Sequence, residues 1–318
     1  MILCVTPNPA IDRTLRVNSL RAGEVQRAEQ TLTAAGGKGL NVARTIRALG
    51  GSPFCMGLIG GHAGNLLAEL ADREGLTARW TRIKNETRTC IILIQPGVDA
   101  TVVNEPGAEV YANECQSFLD DVWEEAVHAQ LVCVSGSLPP GFSSESFRAL
   151  LAGLVERKKS VWVDTSAGAL KAASGVRGIN LKVNAAELGE SLNEKIAKVE
   201  HALRAATDVS KMLGGQVAVT LGVHGAVLVD SGDAWLAQPP RMGVISSVGS
   251  GDAFLAGLTL SLEAGHKPEV ALRHAVAAGA SNSLHFGGGM ILRSEFDEIR
   301  EMTKVSSITP NNASPLLD

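Results

Sequence analysis

The chain has 318 residues, of which 45% are hydrophobic and 19% are charged, and its formal net charge is −4. A chain of this size and apolar content can bury one large α/β core, alone or with a small appendage. The negative balance, with residues 157–159 as the longest basic run, argues against nucleic acid as a partner. No segment reaches membrane-spanning length without charges, so we expect a soluble protein with no membrane partner.

The spacing of cysteine, histidine and serine residues argues against several kinds of site. Five cysteines are scattered without a CxxC pair, which is typical of free thiols in a reducing compartment, and we expect a cytoplasmic protein. Seven histidines include no HExxH motif and no paired Cys/His spacing, which disfavours a catalytic zinc site. Neither Ser137 nor Ser250 lies in a G-x-S-x-G elbow, which disfavours a hydrolase triad.

The first predicted strand spans residues 2–6 and is stopped by Pro7-Asn8-Pro9, which predicts a rigid turn. Small molecules bind beyond the carboxyl ends of strands in open α/β sheets, so Asn8 and Asp12 are candidate ligand-binding residues. The alternative is that both are ordinary turn residues. Residues 13–17 and 31–34 predict short, exposed strands, which we assign to a lid.

A glycine-rich loop at 35–39 precedes a segment with helical apolar periodicity, which predicts a helix that ends near Gly50. Glycines let a ligand approach the backbone closely, so this loop is a candidate binding site. It is not a Walker A loop, because Gly39 rather than Ser or Thr follows Lys38. It is not a dinucleotide fingerprint either, because no G-x-G-x-x-G follows the first strand. From these residues alone, Lys38 is either a solvated loop lysine or a ligand-binding group.

The rest of the chain alternates between strand and helix patterns. Residues 89–95 and 101–104 are rich in β formers and joined by a Pro-Gly turn, so they predict a hairpin that belongs to the same lid. Further predicted strands span 53–58, 131–135, 161–164, 181–183, 217–221 and 226–230. Predicted helices span 66–74, 112–128, 143–158, 194–213, 251–264 and 268–285. This alternation predicts a mostly parallel sheet with helices on both faces.

Residues 246–254, SSVGSGDAF, open the predicted helix at 251–264. The N–H groups of a first helical turn and the positive end of the helix dipole favour a phosphate or a developing negative charge. Asp252 would repel a bound anion, which suggests that it acts as a base for a hydroxyl attacking a phosphoryl group. The alternative is that Asp252 only stabilises the helix N-terminus.

Five motifs occur in a characteristic order: NPAID at 8–12, GGKGLNVA at 36–43, KVNAAEL at 182–188, VTLGVHGA at 219–226 and SVGSGDAFLAG at 247–257. Together they resemble the ribokinase-like sugar kinases of the phosphofructokinase-B family over about residues 1–300. Details at 23–27, 104–107 and 135–141 look most like the 1-phosphofructokinase and tagatose-6-phosphate kinase branch. The resemblance implies an α/β ribokinase-like kinase domain at 1–303, with a β lid formed by about 13–34 and 87–105. We expect residues 304–318 to form a flexible C-terminal tail.

The resemblance also implies roles for individual residues. Those of the catalytic centre are the base Asp252 and the anion hole Gly249, Ser250 and Gly251. Sugar-contacting positions are Asp12, Gly37, Lys38 and Asn41. Positions near the phosphate already on the sugar are Arg88 and Ser137, with assistance from Arg27 of the same or a neighbouring subunit. The family positions that lie along the nucleotide phosphates correspond to Lys182, Asn184 and Glu187, and the last two would also hold Mg²⁺ through water. The positions of the nucleotide-binding edge correspond to Thr220, Gly222 and Gly225, with Asn282 near the adenine.

The activity implied by the resemblance is ATP- and Mg²⁺-dependent phosphorylation of a ketohexose monophosphate. Fructose 1-phosphate is favoured, followed by tagatose 6-phosphate and fructose 6-phosphate. The residues after Arg88 are Thr89-Cys90-Ile91-Ile92, where this branch usually has an asparagine and a nearby lysine. Alternatives are therefore a kinase of an unphosphorylated sugar or nucleoside, and a catalytically silent protein that binds sugar phosphates. The resemblance further implies a homodimer formed through the lid.

Overall fold

A computed structural model describes residues 1–309. The strands are β1 (Ile2–Thr6), β2 (Ala10–Arg16), β3 (Gln30–Gly36), β4 (Pro53–Gly60), β5 (Ala78–Ile83), β6 (Arg88–Ile94), β7 (Thr101–Asn104), β8 (Leu131–Ser135), β9 (Ser160–Asp164), β10 (Asn180–Asn184), β11 (Val217–Thr220), β12 (Ala226–Asp230), β13 (Asp233–Gln238) and β14 (Lys304–Ser307). The helices are α1 (Lys38–Ala48), α2 (Gly61–Arg73), α3 (Ala112–Glu125), α4 (Ser144–Glu156), α5 (Ala167–Ala173), α6 (Ala185–Leu192), α7 (Val199–Leu213), α8 (Ser250–Glu263), α9 (Pro268–Asn282) and α10 (Arg293–Met302).

Within residues 1–309, the central sheet has ten strands in the order β14-β13-β12-β11-β10-β9-β8-β1-β4-β5. From β11 to β5 neighbouring strands pair in parallel, and the other end of the sheet is antiparallel. Both β1 and β8 are fully buried and apolar up to their last residues, Thr6 and Ser135, as expected for parallel strands covered on both faces. The predicted fold class is confirmed.

Alternate residues of β1 enter two different cores. Leu3 packs with residues of α3 and α4 in one cluster, which includes Phe118 and Phe147. Cys4 packs in a second cluster with residues of α1 and α8. Cys4 also pairs in register with Cys55 on β4 and Cys133 on β8, so three buried free thiols lie side by side.

The lid is a separate sheet in the order β3-β2-β6-β7, built from the two segments predicted for it. Its central pair, β2 and β6, is parallel, and both outer pairs are antiparallel. The strand predicted from residue 13 begins at Ala10, directly after the Pro7–Pro9 turn, so β2 connects the end of β1 to the lid. Residues at the start of the lid are thereby held at the carboxyl edge of the main sheet.

Three local predictions are wrong. The predicted helix at 194–213 begins at Val199, and a separate helix, α6, ends at Leu192 and is capped by Asn193 in a left-handed conformation with φ of 53°. The predicted helix at 66–74 begins at Gly61. The tail predicted from 304 does not begin there, because Lys304–Ser307 pairs with β13. The part of that tail after residue 309 lies outside the described residues.

Four further elements were not predicted: β5, β13, α5 and α10. The edge strand β5 carries two arginines, and strand β13 is a short hairpin partner of β12. Over the described residues, no helix is long and apolar enough to cross a membrane.

Candidate active site

The anion loop, defined here as residues 246–251, leads into the N-terminus of α8. Gly249 caps this helix with φ of 79°, in the left-handed region that favours glycine. A Cβ atom at Gly249 would lie only 2.4 Å from the Cα atom of Gly288, so the loop is tightly packed against residues 287–289. The N–H groups of a first helical turn lack intrahelical acceptors and lie at the positive end of the helix dipole. This end of α8 is therefore suited to holding an anionic group.

Asp252 lies in the first turn of α8, with 6% of its surface exposed. Its Oδ2 atom accepts a 2.8 Å hydrogen bond from Asn41 Nδ2 on α1. Burial, and then the negative charge of Asp164, raise the pKa of Asp252 to about 6. The ammonium groups of Lys38 and Lys182 act in the opposite direction. A carboxyl group with this pKa can accept a proton and release it near neutral pH, as a general base requires.

A second carboxylate, Asp164, joins two lysines from distant parts of the chain. It ends β9 and has no exposed surface. Its Oδ1 atom lies 2.6 Å from Lys38 Nζ, and its Oδ2 atom lies 2.8 Å from Lys182 Nζ. Burial alone would raise the pKa of Asp164, but the two ammonium groups outweigh it and hold this pKa below its usual range. Lys182 also lies against the anion loop, since a Cβ atom at Gly251 would be 2.6 Å from its Nζ.

Asn184 and Glu187 form a capping box at the start of α6. Asn184 Oδ1 accepts the Glu187 N–H at 2.8 Å, and Glu187 Oε2 accepts the Asn184 N–H at 2.9 Å. The other carboxylate oxygen, Glu187 Oε1, lies 3.8 Å from Lys38 Nζ. The box therefore fixes Glu187 with one oxygen near the lysine pair. In the part of the chain that the structure describes, no group of three or more His, Cys, Asp or Glu side chains is arranged to hold a metal ion.

Asp12 lies on β2, beside the glycine loop at 36–39. A Cβ atom at Gly36 would lie 2.1 Å from Asp12 Cγ, so only glycine fits there. Burial raises the pKa of Asp12 to about 6, although the positive charges of Arg44 and Arg88 lower it. The loop thus gives a further carboxylate, that of Asp12, a close approach to the backbone. On α1, Lys38 contacts Asp164 and Asn41 contacts Asp252.

Arg88 begins β6 and faces the turn that follows β1. Its Nη2 and Nη1 groups donate to the carbonyl oxygens of Asn8 and Glu105, both at 3.0 Å. Asn8 Nδ2 in turn donates to Ser137 Oγ at 3.1 Å. Arg88 Nε is buried and has no hydrogen-bond acceptor among the described residues. The structure therefore brings Arg88 and Ser137 to opposite sides of Asn8.

Thr220, Gly222 and Gly225 surround the turn between β11 and β12. Thr220 ends β11 and pairs in register with Asn184 at the end of β10, so the turn lies beside the capping box. Gly225 has φ of 93°, and a Cβ atom there would lie 1.8 Å from the carbonyl oxygen of Ala237. The turn consequently requires glycine at this position.

Two predicted residues lie apart from the groups described so far, Asn282 in the interior and Arg27 at the surface. Asn282 is fully buried behind the anion loop, where its Nδ2 group donates to Val248 O at 2.8 Å and to Ser250 Oγ at 3.2 Å. This arrangement supports the loop, and the predicted contact with adenine stays a prediction. Arg27 is exposed on the connection between β2 and β3, and within 1–309 no hydrogen bond joins it to the other site residues.

Sequence reasoning missed Asp164 and Arg44. Asp164 directly follows the apolar residues 161–163, and a carboxylate that closes a buried strand is a signal that could have identified it. Arg44 lies three residues after Asn41 on the buried face of α1 and donates a 2.7 Å hydrogen bond to Asn41 Oδ1. An arginine three residues after an asparagine on a buried helix face indicates a buried polar partner.

Comparison with known proteins places these features in a family. The family model described as "pfkB family carbohydrate kinase" matches residues 4–292. The chain belongs to the pfkB family of carbohydrate kinases. It is accordingly a phosphotransferase that acts on an alcohol group, with ATP as the phosphoryl donor, and the predicted resemblance is confirmed.

Two relatives of this pfkB kinase, one of them in two solved structures, match almost its whole length. A 1-phosphofructokinase from Vibrio cholerae is 28% identical over 97% of this chain and 98% of its own. The tetrameric inhibited form of phosphofructokinase-2 from Escherichia coli is 27% identical with a TM-score of 0.87. The same enzyme in complex with fructose-6-phosphate is 26% identical with a TM-score of 0.85. Both structural matches cover 95% of this chain and 98% of the other.

We predict that replacing Asp164 with asparagine lowers the free energy of unfolding by about 3–5 kcal/mol, because the buried ammonium group of Lys182 and the partly buried one of Lys38 lose their shared counterion. Urea denaturation of the ligand-free protein measures this change. The matched control is Asp121→Asn, which removes a carboxylate bonded to Arg79 and Thr81 at the surface. We expect the control to cost about 1 kcal/mol or less. Equal losses in both variants would contradict the role assigned to Asp164.

Proposed function

We propose that this pfkB kinase transfers the γ-phosphoryl group of ATP to a hydroxyl of a ketohexose monophosphate, with fructose 1-phosphate as the preferred acceptor. The observation that carries the proposal is the buried carboxylate of Asp252 beside the anion loop, within 2.8 Å of the Asn41 amide. The 1-phosphofructokinase from Vibrio cholerae supports the choice of acceptor. Tagatose 6-phosphate and fructose 6-phosphate are the next candidates, and the fructose-6-phosphate complex of the Escherichia coli enzyme supports the latter.

In this mechanism Asp252 accepts the proton of the attacking sugar hydroxyl. The backbone N–H groups of Gly249, Ser250 and Gly251 hold the oxygens of the migrating phosphoryl group, whose charge is stabilised by the helix dipole. Lys38 and Lys182 add positive charge on the same side. Such positioning and electrostatic stabilisation suffice for phosphoryl transfer, because this reaction needs little covalent help from the protein.

The acceptor sugar is held by Asp12, Gly37, Lys38 and Asn41 in this proposal. Its existing phosphate is held by Arg88 and Ser137, with help from Arg27. The Nε–H of Arg88 is buried and has no acceptor within the described chain, so a phosphate oxygen that reached it would satisfy a donor that is otherwise unpaired. A guanidinium group suits this role, because charge-assisted bonds to phosphate are roughly twice as strong as neutral ones.

Thr220, Gly222, Gly225 and Asn282 are proposed to line the nucleotide side, together with Lys182, Asn184 and Glu187. Asn184 and Glu187 are also the proposed site of Mg²⁺. Their oxygen donors suit this ion, which is usually held by one or two carboxylates and several waters rather than by an all-protein cage. The hydrogen bonds of the capping box engage Asn184 Oδ1 and Glu187 Oε2, which favours contact through water and leaves Glu187 Oε1, 3.8 Å from Lys38 Nζ, as the oxygen outside the box. Mg²⁺, when bound, neutralises charge on the nucleotide phosphates.

We further propose that two chains associate through the lid. Strand β7 is exposed along its whole length and carries Val102 and Val103, which are 43% and 57% exposed. An exposed edge strand with apolar side chains is a surface on which another chain can pair. Arg27 lies on the same lid, so a dimer would offer it a route to the neighbouring site. Sedimentation velocity measures the assembly state.

A kinase of an unphosphorylated sugar is the second candidate. It is favoured by the hydrogen bonds of Arg88, whose two Nη groups already donate to main-chain carbonyls. In that case Arg88 supports the turn after β1 and does not anchor a phosphate.

The experiment that tests the proposed function measures ADP release with a panel of sugars and sugar phosphates. We expect the highest kcat/KM with fructose 1-phosphate and a loss of roughly 10²–10⁴-fold in kcat for Asp252→Asn, since the base is removed. The matched control is Asp121→Asn, which removes a surface carboxylate of the same size. Full turnover by Asp252→Asn, or no turnover of any sugar by the wild type, would refute the proposal.

The pH dependence of kcat gives a second prediction. Asp252 must be ionised to accept a proton, and its pKa is raised to about 6, so kcat should fall as the pH drops through this value. Above pH 7 the base is ionised, and the acidic limb should level off. Initial rates at saturating substrate between pH 5 and pH 8 measure this limb. A flat profile over that range would be inconsistent with Asp252 as the base.

Arg88→Lys distinguishes the two candidate acceptors. If Arg88 anchors a phosphate, the KM for the sugar phosphate should rise roughly 10-fold or more, because a lysine cannot reproduce the geometry of the guanidinium group. The KM for ATP should stay within about 2-fold, since the nucleotide binds on the other side of the site. An unchanged KM for the sugar phosphate would favour the kinase of an unphosphorylated sugar.

A further inference from the structure

Arg44 is a buried arginine at the centre of a hydrogen-bond network behind the active site. Only 9% of its surface is exposed. Its guanidinium donates four hydrogen bonds: from Nε to Glu74 Oε2 (2.8 Å), from Nη2 to Ala35 O (2.5 Å), and from Nη1 to Asn41 Oδ1 and Gly288 O (both 2.7 Å). Nη2 also lies 2.7 Å from Glu74 Oε2 in an ion pair. Glu74 balances its charge and also accepts the Ala35 N–H at 3.0 Å.

This network joins the two glycine loops of the site. Ala35 precedes the loop at 36–39, and Gly288 lies against both the anion loop and the side chain of Asn41. One guanidinium therefore fixes the backbone on the sugar side and the backbone that supports the anion loop. Its position does not bring it to the reacting atoms, because Asn41 lies between Arg44 and Asp252.

Arg44 determines which way the Asn41 amide faces. A guanidinium group has donors only, so the atom of Asn41 that faces it must be the oxygen. The Asn41 NH₂ group must then face Asp252, where it donates to Oδ2 at 2.8 Å. The reversed amide would place its NH₂ group against the guanidinium and its oxygen against the carboxylate, which would lose both hydrogen bonds.

The other charged groups that face Asp252 come from three elements. Lys38 on α1 and Lys182 on β10 are positive, and Asp164 on β9 is negative. Hydrogen bonding from Asn41 stabilises the ionised carboxylate, in the same direction as the two lysines. Burial and the charge of Asp164 raise the pKa of Asp252, and the hydrogen bond from Asn41 lowers it. Loss of this bond would therefore raise the pKa further, and the carboxyl group would stay protonated to higher pH.

We propose that Arg44 is a positioning residue for catalysis, which acts through Asn41 to orient the carboxylate of Asp252 and to keep it ready to accept a proton. This inference rests on the proposed role of Asp252 as the base. It assigns to α1 a function beyond contact with the sugar, namely control of the base on α8.

The test is Arg44→Lys, which keeps the charge next to Glu74 but cannot reach all of the acceptors with one ammonium group. We expect kcat to fall roughly 10–100-fold with the KM for ATP within about 2-fold, because small displacements of catalytic groups cost about this much. The acidic limb of the kcat profile should move up by about one pH unit, as expected for loss of one hydrogen bond to a charged group. The matched control is Arg293→Lys, since Arg293 also bonds a carboxylate and the carbonyl of Leu49.

A double-mutant cycle with Asn41→Ala separates the relay from a general structural role. If Arg44 acts through Asn41, then Arg44→Lys should change kcat less than about 3-fold in the Asn41→Ala background. Independent, multiplicative losses would overturn the proposal, as would an unshifted acidic limb in the single variant. A shift equal to that of Arg293→Lys would also overturn it.

A substitute variant and a parallel assay of the wild type complete the test. If Arg44→Lys does not fold, as judged by circular dichroism, the charge-balanced pair Arg44→Gln and Glu74→Gln takes its place with the same expected outcomes. The wild type is assayed alongside with the best acceptor of the panel. An inactive wild type, or a wild-type profile without an acidic limb, refutes the proposed function, whereas an active wild type matched by its Arg44 variant refutes only the positioning role.

Discussion

The candidate active site depends on a balance of charge between two buried carboxylates and two lysines. Asp164 and Asp252 are both buried, and the charges of Lys38 and Lys182 act on both of them. Because Asp164 takes up the direct ion pairs of Lys38 and Lys182, these lysines stabilise Asp252 only at longer range. One carboxylate is therefore held firmly ionised while the other titrates near neutrality. Two aspartates of the same intrinsic acidity thus acquire different chemistry from their neighbours alone.

The parallel sheet explains why these groups meet. Parallel strands end at the same edge of a sheet. Five of them, β1, β8, β9, β10 and β11, are consecutive neighbours in the central sheet. Their carboxyl ends therefore present a row of polar groups along one edge: Asn8, Ser137, Asp164, Asn184 and Thr220. Only three residues separate β1 from β2, the first strand of the lid. Asp12 on β2 is therefore held close to this row of polar groups. Helix α8 then supplies Asp252, the proposed base, and the anion loop from a later part of the chain.

The sequence allowed the architecture and the central motifs to be predicted, because both leave local patterns. Apolar strand runs, helical periodicity and glycine-rich loops predicted the sheet, the lid and the surroundings of Asp252. Asp164 and Arg44 leave only a weak local signal, at the end of an apolar strand and on a buried helix face, since their roles come from contacts across the fold. Asp164 bonds to Lys38 over 126 positions in the sequence, and Arg44 bonds to Gly288 over 244. Strand β14 escaped prediction for a related reason: it is mostly exposed and polar, and main-chain pairing with β13 holds it in place.

The three aligned thiols in the middle of the sheet have a consequence for measuring its motions. Cys4, Cys55 and Cys133 are completely shielded, and the hydrogen bond with Cys133, followed by burial, raises the pKa of the Cys4 thiol well above its ordinary value. A neutral, shielded thiol does not react with alkylating reagents, because the thiolate is the nucleophile. Modification of these cysteines therefore requires the strands around β1 to separate, and its rate reports how often the centre of the molecule opens.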